Sequence, residues 1–113
     1  MKKMIAALAF GALSMNAFAA DAAKGEALAK KYNCASCHGA DFKTPIDPSY
    51  PKLAGQHADY LAHALTAYQR GDKIMNGRNN AIMAGMAAPL SDADMADIAA
   101  YISSLPSNLT SHR

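Results

Sequence analysis

Two cysteines and a histidine stand together as Cys34-Ala35-Ser36-Cys37-His38, and the 113 residues hold 2 cysteines in all. C-x-x-C-H is the spacing of covalent haem attachment. Two thiols can each add to a vinyl group along one side of the porphyrin, and the histidine that follows is then placed under the iron. Competing chemistries fit less well. A disulfide across two intervening residues is strained and has no use for the histidine. A thioredoxin-like dithiol belongs beside a βαβ unit, and no stretch here alternates like a strand. A zinc site wants four ligands, and beyond this cluster only His57, His63 and His112 remain.

A haem that carries electrons usually takes a second protein ligand, and Met opposite His raises its potential. Met75, Met83, Met86 and Met95 follow the motif. Met95 falls on an apolar stripe with Ile98, Tyr101, Ile102 and Leu105 and reads as core. Met75, Met83 and Met86 share one irregular stretch, and position alone does not separate them. Filling a gap against the cofactor accounts for at least two of the three. His57 and His63, six apart on a helix, read first as solvated residues, as does His112.

Several elements must position these groups. Lys2 and Lys3, the apolar run Met4 to Met15 and the small-x-small triplet Ala17-Phe18-Ala19 read as a cleaved export signal over residues 1–19. The run is too short to span a bilayer, so no transmembrane anchor is expected after cleavage. Residues 20–113 then form one domain, and without Lys2 and Lys3 the formal charge of +2 becomes zero. Such a balance does not fit a nucleic-acid binder. With 51% hydrophobic and 18% charged residues the chain is globular rather than disordered. Asp21 caps a first helix over Ala22 to Tyr32, a second runs from Gln56 to Arg70, and Ser91 caps a third that ends at Pro106. Between them lie two irregular stretches, Asn33 to Gly55 and Gly71 to Leu90. Long structureless stretches in so small a domain need an organiser, and a large apolar cofactor would be one.

Taken in order, these pieces resemble a small class I cytochrome c, and specifically one half of the tandem di-haem periplasmic cytochromes c. The matching runs are Cys34-Ala35-Ser36-Cys37-His38-Gly39-Ala40-Asp41, Tyr50-Pro51-Lys52-Leu53-Ala54-Gly55-Gln56, Met83-Ala84-Gly85-Met86, and Ser91 to Tyr101. The resemblance implies an all-α class I cytochrome c fold, with three main helices and long loops wrapped around one covalently attached haem c and its iron. It implies thioether links at Cys34 and Cys37, His38 as proximal ligand and Met83 rather than Met86 as distal ligand. It further implies that the Pro48 carbonyl accepts the Nδ1–H of His38 and that Leu53 packs on the haem. Gly25 and Tyr101 match a close crossing of the first and last helices.

The function so implied is that of a soluble periplasmic carrier passing single electrons between redox protein partners, with monomer as the default state. No paired carboxylates, Ser/His/Asp set or glycine-rich phosphate loop points to an enzyme. Two other uses of the same cofactor stay open: a cytochrome subunit of a larger dehydrogenase or oxidase, and a small peroxidase or gas-binding protein with an open distal side. Lys24, Lys30, Lys31, Lys43, Lys52 and Lys73 are candidates for a basic ring at the haem edge.

Overall fold

A computed structural model describes residues 20–71 and 77–107. The export signal, Met75, Lys73 and His112 lie outside them. Five helices and no strand are found among the described residues: α1 (Ala22–Lys31), α2 (Ala35–His38), α3 (Ala58–Arg70), α4 (Ala81–Ala87) and α5 (Asp92–Ser103). The three long helices are those the periodicity predicts. The second starts at Ala58 rather than Gln56, and α2 and α4 sit inside stretches expected to be irregular.

Local chemistry starts each long helix. The Asp21 carboxylate accepts from Ala23 N at 2.9 Å and Lys24 N at 3.2 Å, filling orphan donors of the first turn of α1. Ser91 and Asp94 form a reciprocal capping box on α5, with Asp94 N donating to Ser91 Oγ at 3.0 Å and Ser91 N to Asp94 Oδ2 at 3.1 Å. Gly71 ends α3 with φ of 60°, a left-handed turn that glycine makes without a Cβ penalty.

α1 crosses α5, and α5 in turn packs on α3. The crossing is tight at Gly25, where a Cβ would lie 1.9 Å from the Asp97 carbonyl oxygen and 2.9 Å from Tyr101 Cβ. Only glycine allows that approach. Asp97 also receives the Asp21 backbone N–H on its side chain at 2.8 Å, tying the start of α1 to α5. Met95, Ile98, Ala99 and Ile102 of α5 supply the centre of the core, joined by Ala29, Leu61, Leu90, Ala54 and Phe42. Full burial of Met95 and Ile98 stabilises the fold by about 2 kcal/mol each. The Phe42 carbonyl accepts from both Leu53 N (2.8 Å) and Ala54 N (3.0 Å), which folds the first long connection back on itself.

Candidate functional site

Cys34, Cys37 and His38 border one deep cleft of about 350 Å³. Asn33 has φ of 56°, and this left-handed residue ends α1 and turns the chain straight into α2. That short helix sets the two thiols and the imidazole on adjoining positions. Leu53, Leu61, Leu65, Ile98 and Ile102 give the cleft an apolar wall, while Met83 and Met86 border it from α4. Burial pushes the Cys34 thiol above its ordinary pKa.

The orientation of His38 is fixed. The residue is only 6% exposed, and its Nδ1 lies 3.0 Å from the carbonyl oxygen of Pro51. A carbonyl can only accept, so Nδ1 carries the proton and Nε2 keeps its lone pair for a metal. The acceptor is Pro51 and not Pro48, which corrects the expectation from the sequence. Asp47 to Tyr50 form a turn: Tyr50 N donates to the Asp47 carbonyl at 3.0 Å, and the Asp47 carboxylate accepts from Ser49 N at 2.8 Å and Ser49 Oγ at 2.6 Å. Pro48 occupies the outer corner of that turn, where a preset φ suits it, and it does not border the cleft. The chain returns beside the imidazole only at Pro51.

Met95 is core as expected, 1% exposed. Met83 and Met86 are three apart on α4 and so share a face. Met83 is half-buried and Met86 is 37% exposed. Asn80 sets the start of this helix by accepting from Met83 N at 3.0 Å. His57 and His63 are exposed and away from the cleft. Of the candidate basic ring, Lys52 alone among the described lysines borders it, and Lys30 is engaged with Glu26 at 3.1 Å.

Arg78 is a site residue that the sequence reading missed. It borders the cleft with its guanidinium 5.5 Å from the Tyr60 ring centre and 5.4 Å from that of Tyr68. Its Nη2 donates to the Tyr60 hydroxyl at 2.9 Å, and this bond, followed by that to Tyr68, holds its proton more firmly than usual. Among the described residues of the lining, Arg78 and Lys52 are the charged ones and none is a carboxylate. The only sequence signal was a lone Arg among asparagines.

These residues fit a haem. The wall is apolar, the thiols adjoin the imidazole, and the cations suit a group bearing two propionates. Among the described residues no three His, Cys, Asp or Glu side chains gather to hold a metal by themselves. The Cytochrome c family model matches residues 22–106. The chain belongs to the cytochrome c family. It is 49% identical over 86 residues to cytochrome c-554(548) of Halomonas halodenitrificans, covering 76% of this chain and 98% of that protein. It is 39% identical over 107 residues to cytochrome c4 of Pseudomonas aeruginosa, covering 92% of this chain but 49% of the relative. Among solved structures, reduced recombinant cytochrome c4 from Pseudomonas stutzeri superposes with a TM-score of 0.67 at 41% identity, over 78% of this chain and 47% of the other. The chain thus spans nearly all of one relative and about half of the cytochrome c4 chains. The fold is that of a class I cytochrome c, its cofactor is covalent haem c, and like its relatives it is an electron carrier.

Proposed function

We propose that this cytochrome is a soluble, periplasmic, single-haem carrier in which Cys34 and Cys37 hold the haem and His38 and Met83 ligate its iron. The bound haem supplies a one-electron Fe(II)/Fe(III) couple. The chain's part is to hold that couple in an apolar cleft, to orient it through the pinned His38, and to offer a thioether as second ligand. The observation that carries the reading is α4, which brings Met83 to the same cleft as His38. Met83 is favoured over Met86 because it is the more buried of the two and its own backbone is held by the Asn80 cap. Export rests on Lys2, Lys3, the apolar run and the Ala17-Phe18-Ala19 triplet. No helix among the described residues is long and apolar enough to cross a membrane. Redox protein partners follow from electron carriage, and a monomeric state suits brief docking.

The test is the weak far-red charge-transfer band of thioether sulfur on ferric haem. The parent protein shows the band, Met86→Ala keeps it and Met83→Ala loses it. A parent without the band whose ferrous form takes up carbon monoxide at once would show an open distal side and overturn the carrier reading.

A further inference from the structure

Both candidate sulfurs ride on α4, so whatever fixes α4 fixes the distal ligand. Seven residues are too few for a helix to persist alone, and α4 packs on α3. Its leading end is anchored by the Asn80 cap and by Arg78 N, which donates to the Ala67 carbonyl of α3 at 2.9 Å. Its trailing end is anchored by one side chain. Gln69 of α3 donates from Nε2 to the Ala87 carbonyl at 3.1 Å and to the Leu90 carbonyl at 2.7 Å.

This pairing matches donors to acceptors closely. A carboxamide nitrogen carries two N–H groups, and two carbonyls receive them. The carbonyl of Ala87, at the end of α4, also accepts from Leu90 N at 3.0 Å, and that of Leu90 lies just beyond. Ala87 is 0% and Leu90 6% exposed, so water is a poor substitute partner. The Gln69 side chain does not border the cleft. Its side-chain amide acts on α4 and not on the cleft itself.

We infer that Gln69 is a positioning residue for the distal ligand: it clamps the trailing end of α4 and so keeps the methionine seated on the iron. The inference rests on the reading that α4 supplies that ligand. Without the clamp the helix end is freer to swing, and an outside ligand displaces the thioether more easily.

The experiment is a titration of the ferric holoprotein with imidazole, following the far-red band. It compares the parent, Gln69→Leu, Gln69→Asn, Met83→Ala, Met86→Ala and a control, Asp97→Ala. The control removes the acceptor of the Asp21 bond, far from α4. Gln69→Leu is expected to bind imidazole roughly tenfold more tightly than the parent, the factor that loss of two hydrogen bonds of ordinary net worth gives. Gln69→Asn, with its amide drawn back by one methylene, shifts the same way but less, and decides the matter alone if Gln69→Leu does not fold. Asp97→Ala lowers the melting temperature and leaves the affinity unchanged. Parent-like affinity in the Gln69 variants, or an equal shift in the control, overturns the inference. A parent lacking the band removes the ligand reading and this inference together. A band lost in Met86→Ala instead of Met83→Ala moves the ligand but leaves the clamp standing.

Discussion

At Gly25 a missing side chain decides how closely two helices approach. A methyl group there would meet the Asp97 carbonyl oxygen at 1.9 Å, which is backbone and cannot turn aside. Gly25→Ala should therefore destabilise the holoprotein by about 3 kcal/mol, the upper end for overpacking, although alanine is the better helix former. Thermal melting of the two proteins checks this, and an unchanged melting temperature would mean that the helices can slide apart. His38 is fixed differently, by a single bond from Nδ1 to Pro51. Its acceptor is a backbone carbonyl, which no side-chain substitution removes, so the check is the scalar coupling that a hydrogen bond transmits: in the ferrous holoprotein the His38 Nδ1–H should couple to the Pro51 carbonyl carbon. A coupling to the Pro48 carbonyl carbon instead would contradict the assignment of the acceptor.

The elements between the long helices depend on side chains that replace regular structure. Asp41 receives Lys43 N at 3.0 Å, Thr44 N at 2.9 Å and Thr44 Oγ1 at 2.9 Å, and Asp47 holds Ser49 in the same manner. The Lys43 amide chiefly lowers the Asp41 pKa, and the Ser49 hydroxyl that of Asp47, from the ordinary value of 3.8. A lowered folded pKa means that this support is fully present above the ordinary value and is lost as pH falls through the lower folded one. Amide exchange at Thr44 and Ser49 should accordingly rise in that acid window while the α5 amides stay protected. Uniform loss of protection would show that the turns open only with the whole fold. The capping residues Asp21 and Ser91, and the stripe from Met95 to Ile102, could be read from sequence because helix starts and buried faces are local, periodic signals. The helix α4 could not: Gly85 lowers its propensity, it is shorter than the period needs, and its stability comes from α3 through Gln69. The covalent motif was equally plain, but choosing Pro51 over Pro48 required knowing where the Asp47 turn returns the chain. Arg78 acquires its place only once Tyr60 and Tyr68 stand on either side of it.

For the molecule as a whole, the cofactor is part of the core. The α1–α5–α3 packing leaves a cleft of about 350 Å³ walled by Leu53, Leu61, Leu65, Ile98 and Ile102. A domain this small hides a modest share of its surface, and without a filler that wall faces water. The double variant Cys34→Ala/Cys37→Ala, made so that no haem is attached, is expected to lose most of its helical circular dichroism and its cooperative melt. A sharp melt in that variant would show that the polypeptide folds without its cofactor.

The pairing of α1 with α5 also has a consequence in time. Asp21 and Asp97, joined by a hydrogen bond, are 76 positions apart. The main helix contact of α1 is with α5, so α1 cannot settle until that loop closes, and closing so long a loop is slow compared with forming local turns. Until that loop closes, Cys34 and Cys37 sit on an open polypeptide. The order of the helices along the chain thus reserves a period for attachment before the cleft closes around its contents.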